Sequence, residues 1–310
     1  MATHKTYTVG LNGTVWRMIN HDPNNWTDIS LGSSNLIGTG NILEPNTATG
    51  NIFPFSDFSG YHLVDVMTDP NDYDKLCVIA GNDPRLLPNT QLDYFNEAKA
   101  GIFMSHNAGA TWFVPGGDWY EVCQRKPDSA PDVNFHFEVW YADSDTIYII
   151  SEGGHLFKSI DGGLTFNTVK NSANNPRRAG SAYQFTSCIH MWKDTTGING
   201  GLDYGVIAQI EDITQIDSKV EVWKTLDGGV TWTALNGGNP LTNTVVPPPG
   251  DQLGNATGIY ISQDQSMITV QTENVVNRST DSGATFNTTL SVSPGLEKRR
   301  NIFDRDWETP

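Results

Sequence analysis

The side chains best suited to chemistry are five polar residues at matching positions of five short predicted strands. They are Asp65, Glu138, His190, Tyr260 and Arg305. Two carboxyl groups that face each other across a cleft can hydrolyse a glycosidic bond, so Asp65 and Glu138 are weak catalytic candidates. His190, Tyr260 and Arg305 are candidates for binding a polar ligand, although such a ring more often holds ordered water.

Other catalytic and metal-binding patterns are missing from the sequence. It contains no Gly-x-Ser-x-Gly elbow, no His-Glu-x-x-His helix and no phosphate-binding glycine loop. Its three cysteines, Cys77, Cys123 and Cys188, are odd in number and lack metal-ligand spacing, so we interpret them as small buried residues or free thiols. We therefore expect no metal and no cofactor.

An eight-residue pattern recurs four times and fixes the order of the predicted strands. It reads Ser/Thr-x-Asp/Asn-x-Gly-x-Thr-Trp/Phe and begins at Ser105, Ser159, Thr225 and Ser279. An alternating apolar stretch precedes each copy and a β-prone stretch follows it, which predicts a hairpin turn between two strands.

The residue types of this pattern predict a structural role. The Asp side chain can accept hydrogen bonds from N–H groups of its own turn, the Gly suits a positive φ, and the aromatic can be buried between sheets. We assign that role to Asn107, Gly109, Trp112, Asp161, Gly163, Phe166, Asp227, Gly229, Trp232, Asp281, Gly283 and Phe286.

The pattern resembles the Asp-box, or bacterial neuraminidase repeat, of sialidases, xyloglucan-cleaving glycosidases, sortilin-like receptors and phage and bacterial propellers. The resemblance implies an all-β fold, a single β-propeller of four-stranded blades, with the repeat away from the active face. Sialidases commonly show an Arg-Ile-Pro tripeptide near their first strand, and none occurs here. Xyloglucan-cleaving enzymes usually comprise two propellers and are far longer. Both points make an enzyme the less favoured interpretation.

Five blades in one domain, residues 1–310, account best for the pattern. We predict them at residues 1–30 with 300–310, 61–115, 133–170, 184–236 and 257–292. The chain would begin at the second strand of a blade, and Asn301–Trp307 would return to supply that blade's inner strand. Closure of this kind removes exposed sheet edges. A six- or seven-bladed ring is the alternative if the natural chain continues past Pro310.

Long insertions are predicted to emerge together on one face of the propeller. They are residues 31–60, 81–100, 115–132, 170–183 and 236–256. Aromatic residues are frequent in them, and we predict that Tyr94, Phe95, Trp119 and Tyr120 bind a glycan or a protein. A small core packed under the loops is the alternative interpretation.

The overall charge limits the choice of partners. The 310 residues include 19 Lys+Arg and 35 Asp+Glu, a net charge of −16, which argues against nucleic acid and anionic membranes. No apolar run is long enough to cross a membrane and no signal segment begins the sequence.

The function predicted from these observations is non-catalytic binding. An acidic, glycine-, asparagine- and threonine-rich chain fits a tailed-phage virion or tail-associated protein, made in the host cytoplasm. Its long-loop face would contact another virion subunit or a surface glycan. The alternatives are a sialidase-like or xyloglucanase-like glycoside hydrolase and a cytoplasmic assembly factor.

Overall fold

The computed structural model describes residues 5–10, 14–20, 22–30, 63–80, 101–113, 115–117, 137–151, 156–170, 184–211, 219–242, 256–272 and 275–291. Within these residues the chain forms β-strands in five sheets and a 3₁₀ turn at Asn236–Gly238. The chain divides into two compact units, Met1–Ser151 with Phe157–Thr168, and Glu152–Leu156 with Val169–Pro310.

Three sheets lie largely in the first unit. The first contains β1–β3: Lys5–Gly10, Thr14–Ile19 and Trp26–Asp28. The second contains β4–β6: Leu63–Thr68, Leu76–Ala80 and Gly101–Ser105. The third contains β7–β11: Gly116–Gly117, Phe137–Tyr141, Ile147–Ser151, Leu156–Ser159 and Thr165–Lys170. Strands β8 to β11 follow one another across the third sheet, and β7 covers its outer edge by parallel pairing with β11.

Two further sheets lie in the second unit. The fourth contains β12–β16: Gln184–Trp192, Tyr204–Glu211, Lys219–Thr225, Thr233–Ala234 and Leu241–Thr242. The fifth contains β17–β20: Ala256–Ile261, Ile268–Thr272, Val275–Ser279 and Asn287–Ser291. Neighbouring strands of β17–β20 pair in sequence order and antiparallel, as the alternating apolar stretches predicted.

The middle strands β9 and β18 are buried on both faces, which explains their nearly continuous apolar sequences. Every residue of Ile147–Ile150 and of Ile268–Thr272 is buried. In the first unit, Cys77 and Ile79 of β5 pack in one core with Val139 of β8. Alternate side chains of β5 thus pack on one face against the third sheet.

The glycine of each recurring turn packs against the sheet that precedes it in the chain. The pairs are Gly109 with Ile29, Gly163 with Met104, Gly229 with Leu156 and Gly283 with Leu235. A Cβ on any of these glycines would collide with the apolar side chain opposite. The four φ angles lie between +80° and +96°, a region that side chains disfavour. The positive φ of the turn therefore favours glycine, and any side chain there would also displace the end of the apolar side chain opposite.

The aromatic residue at the end of three of the four turns is also used in sheet packing, whereas Trp232 is only half-buried. Trp112 and Phe166 are fully buried, and the indole N–H of Trp112 donates to the carbonyl of Ile29 at 3.2 Å. Phe286 packs against the core of the second unit. The all-β prediction is confirmed. The closing strand Asn301–Trp307 lies outside the described residues, so the number of blades stays a prediction.

Replacing Gly229 by alanine should destabilise the protein more than the same change at Gly197. At Gly229 the new Cβ meets the end of the Leu156 side chain, which must shift, and strain at φ +96° adds to this cost, for a loss of about 1–3 kcal/mol. At Gly197 the φ is +76° but nothing lies within 4 Å, so only backbone strain of about 1 kcal/mol applies. Urea unfolding followed by tryptophan fluorescence measures both. Equal losses of unfolding free energy in the two variants would mean that the contact of the new Cβ with Leu156 has no effect on stability.

Candidate functional site

The two predicted catalytic carboxylates lie on strands that approach each other in the first unit. Asp65 in β4 is paired with Ile79, and Glu138 in β8 is paired with Ile150. The strands β4 and β8 are in contact, and the Glu138 side chain is half-buried. The structure thus brings these strands together. Arg305 and the loop aromatics Tyr94, Phe95, Trp119 and Tyr120 lie outside the described residues.

The predicted ligand residues His190 and Tyr260 lie together in the second unit. Their ring centroids are 4.9 Å apart, and His190 is 2% exposed. The backbone N–H of Ile261 donates to His190 Nδ1 at 3.0 Å, while the indole of Trp192 donates to the Ile261 carbonyl at 2.7 Å. His190 therefore helps to join the fourth sheet to the fifth.

Each aspartate of the recurring turn accepts a fixed set of hydrogen bonds. Asp161 Oδ1 accepts from the Ser159 hydroxyl at 2.7 Å and from the Thr165 N–H at 2.9 Å, and Oδ2 accepts from the Thr165 hydroxyl at 2.6 Å. The Ser159 hydroxyl oxygen in turn accepts from the Gly163 N–H at 2.8 Å. Asp227 and Asp281 make the same bonds.

The first copy of the turn shows that a negative charge is not needed for this geometry. Asn107 Oδ1 accepts from the Thr111 N–H at 2.8 Å, and its amide Nδ2 donates to the Thr111 hydroxyl at 2.6 Å. The threonine hydroxyl thus accepts in this turn, whereas it donates in the other three. An amide can therefore replace the carboxylate without loss of a bond.

The turn carboxylates are poor candidates for proton transfer at neutral pH. Bonds from the hydroxyl and N–H of Thr285, then from the hydroxyl of Ser279, lower the pKa of Asp281 to about 2. For Asp161 and Asp227 burial opposes ionisation, but equivalent bonds outweigh it and the pKa of each carboxyl is lowered. A general acid must hold its proton near the working pH, which these groups do not.

A second set of aspartates, which the sequence analysis did not single out, follows the first strand of four sheets. Its members are Asp69, Asp143, Asp194 and Asp264. Asp194 accepts from the N–H groups of Gly197, Asn199 and Gly201, each at 2.8 Å. The sequence pattern that could have identified them is an Asp one to three residues after the end of each of these strands. These side chains shape the connections to the second strands.

An exposed aliphatic patch lies where one of these connections meets the turn of the fourth sheet. It consists of Ile198, Leu202, Leu226 and Val230, which are 57%, 54%, 48% and 59% exposed. Asn199 Nδ2 donates to the carbonyls of Leu202 and Leu226, at 2.7 and 2.6 Å. The Gly228 N–H donates to the Asp203 carbonyl at 2.7 Å. These bonds hold the patch in place.

Part of the patch was visible in the sequence. Leu226 and Val230 occupy the second and sixth positions of the turn pattern, where the fifth-sheet copy has Thr280 and Ala284. The turn's hydrogen bonds use none of the side chains at these two positions. Ile160 and Leu164 hold the same positions in the third sheet and are also exposed.

The described residues show neither a metal-ligand cluster nor a membrane-spanning helix. They contain no cluster of three His, Cys, Asp or Glu side chains that could hold a metal ion. In the same part of the chain, no helix has the length and apolar character needed to cross a membrane.

No protein-family model and no curated protein matches the chain. Its structure is similar to an ancestral GH74 enzyme (TM-score 0.50, 12% identity, 94% of this chain and 33% of that one). It is also similar to the GH74 xyloglucanase from Xanthomonas campestris (TM-score 0.43, 13% identity, 89% of this chain and 34% of that one). A third similar structure is a Hadza microbial sialidase (TM-score 0.47, 12% identity, 91% of this chain and 55% of that one).

These similarities concern the fold alone. The chain spans about a third of the length of the two GH74 proteins and about half of the sialidase. The prediction of an all-β, β-propeller fold is confirmed by the similarity to the ancestral GH74 enzyme. An identity of 12% carries no activity over to this chain.

Stability in acid should depend on the carboxylate of Asp281. The pKa of the Asp281 carboxyl is about 2 in the folded state and about 3.9 in the unfolded state. Because the folded pKa is the lower one, the ionised carboxyl stabilises the fold fully above pH 3.9, and this stabilisation is lost as the pH falls through 2. Replacing Asp281 by Asn should therefore reduce the fall in melting temperature between these two pH values.

Replacement by Ala is the matched comparison. At neutral pH, Asp281→Asn should melt close to wild type, because Asn107 supports the same turn, whereas Asp281→Ala should melt lower. Differential scanning calorimetry across the acid range measures both. An unchanged pH dependence in Asp281→Asn would contradict the assignment.

Proposed function

We propose that the protein is a non-catalytic binding propeller that attaches to a partner protein through its aliphatic patch. The exposure of Ile198, Leu202, Leu226 and Val230 carries the proposal. Aliphatic side chains about half exposed gain about 1 kcal/mol each when a partner covers them. Their backbone is already fixed by the bonds of Asn199 and Gly228, so little ordering is needed on binding.

The charge around the patch indicates the chemistry of the partner. Asp194 and Asp227 border the patch. Slight desolvation opposes the ionisation of Asp194, but the N–H groups of Gly201, Asn199 and Gly197 lower its pKa. Because both groups are ionised and the chain carries a net charge of −16, the partner surface should be aliphatic with basic residues around it.

We further propose that the protein is a tailed-phage virion or tail-associated subunit. The acidic, glycine- and asparagine-rich composition supports this setting. A second contact, to a virion subunit or a surface glycan, would involve Trp119 and Tyr120 of the long-loop face. A gene beside tail or capsid genes and co-purification with particles would test the setting.

One observation favours a second candidate function. The contact between β4 and β8 brings together the strands that carry Asp65 and Glu138. Two carboxyl groups on neighbouring strands are the minimum that glycoside hydrolysis requires. A glycoside hydrolase is therefore the alternative that needs a direct assay.

Replacing Leu226 and Val230 together by serine should abolish partner binding. The tagged chain is co-expressed with the products of its neighbouring genes, and the ratio of co-purified subunit is measured. We expect a reduction of about tenfold or more, because the change removes two of the four aliphatic side chains of the patch. The melting temperature should stay close to wild type, because both residues are exposed.

Ile160→Ser with Leu164→Ser is the matched control, because it makes the same change at the same positions of another turn. This control should bind the partner as wild type does. Undiminished binding by the Leu226/Val230 variant, or equal losses in both variants, would refute the patch as the specific contact.

The hydrolase alternative predicts release of reducing sugar from a panel of glycans. Activity that disappears in both Asp65→Asn and Glu138→Gln would replace the binding proposal with an enzyme. The binding proposal predicts that wild type releases no sugar. Full hydrolysis by both variants would remove these two residues from the catalytic assignment.

A further inference from the structure

A groove of about 590 Å³ lies in the second unit, next to the aliphatic patch. One wall comes from Thr196 and Ile198 of the connection between β12 and β13. The opposite side comes from Gln263 and Met267 of the connection between β17 and β18, and from Arg278 of β19. The groove is shallow and open to solvent, so a bound sugar residue would stay partly exposed in it.

Arg278 has donor groups left for a ligand. Its guanidinium Nε and Nη2 lie 3.1 and 2.6 Å from Met267 Sδ, and a thioether is a weak acceptor. Within the described part of the chain, no carboxylate lies within ion-pair distance of Arg278. A guanidinium has five N–H donors in a fork that matches a carboxylate.

The carboxylate in the groove lining, that of Asp264, already accepts hydrogen bonds from neighbouring residues. Asp264 Oδ1 accepts from the Ser262 hydroxyl at 2.5 Å and from the Ser266 N–H at 3.0 Å. The Ser266 hydroxyl lies 2.8 Å from each carboxylate oxygen. Asp264 is thus held by its own connection and, among the described residues, forms no ion pair with Arg278, while its carboxylate stays ionised.

The remaining lining combines hydroxyl and amide groups with apolar surface. Thr196 and Gln263 offer polar groups, while Ile198 and Met267 offer apolar contact. Sugars present the same combination, since hydroxyl groups surround a ring with an apolar C–H face. An acidic amino-acid side chain would leave most of the polar lining without a partner.

We propose that this groove binds an acidic sugar, a uronic acid residue of a glycan, whose carboxylate pairs with Arg278. The sugar hydroxyl groups contact Gln263 and Thr196, and the C–H face of the ring packs against Ile198 and Met267. The site shares Ile198 with the aliphatic patch, and it uses none of the residues that the sequence suggested for glycan binding.

Calorimetric titration with methyl α-D-galacturonoside tests the proposal, and methyl α-D-galactoside is the neutral comparison. The acid should bind about tenfold or more tightly than the neutral sugar, and Arg278→Gln should remove that preference. Lys75→Gln is the matched control, because it removes one positive charge at a residue that pairs with Asp145 in the first unit. It should bind the acid as wild type does.

A second variant distinguishes a loss of binding from a folding defect in Arg278→Gln. Gln263→Glu places a like charge beside the sugar carboxylate on an exposed residue, and it should weaken binding of the acid without affecting the neutral sugar. Melting temperatures of all variants are measured in parallel.

Several outcomes would overturn the proposal. They are equal binding of acid and neutral sugar, undiminished binding by Arg278→Gln, or no saturation by the acid at millimolar concentrations. Tighter binding of N-acetyl-Asp-Glu than of the sugar acid would instead assign the groove to an acidic peptide. Arg278→Gln should still co-purify with the partner subunit, so failure here is distinguishable from failure of the patch.

Discussion

The structure depends on the contact between a turn glycine and the sheet before it. In each pair, from Gly109 with Ile29 to Gly283 with Leu235, the absence of a Cβ lets an apolar side chain reach the turn backbone. The hydrogen bonds of the turn keep that backbone in place, because Ser or Thr holds the glycine N–H while Asp or Asn holds the following Thr. Local hydrogen bonding and packing between sheets therefore rely on the same few residues.

This arrangement leaves two positions of the turn free to vary. The second and sixth side chains point away from the hydrogen-bond network, so they can change without loss of the fold. The fourth sheet has Leu226 and Val230 there, and the connection from β12 adds Ile198 and Leu202 beside them. The proposed binding residues are thus placed on turns whose Ser or Thr, Asp or Asn, and Thr side chains are held by hydrogen bonds.

The sequence predicted local features well because they depend on neighbours in the chain. The turn pattern and the strands beside it, such as Leu76–Ala80, could be located from residue types alone. The aliphatic patch and the groove could not, because each joins connections that are distant in sequence. The ring contact between His190 and Tyr260 likewise needs two sheets to meet. Trp119 and Tyr120, the aromatic residues favoured from the sequence, lie outside the described residues.

The turns hold the fold, and we propose that their variable positions bind the partner. Hydroxyl-radical footprinting of the free chain and of the complex, read by mass spectrometry, tests it at single side chains. We expect Ile198, Leu202, Leu226 and Val230 to be oxidised in the free chain and protected in the complex, with Ile160 and Leu164 oxidised equally in both. Protection at Ile160 and Leu164, or none at Leu226 and Val230, would contradict the account.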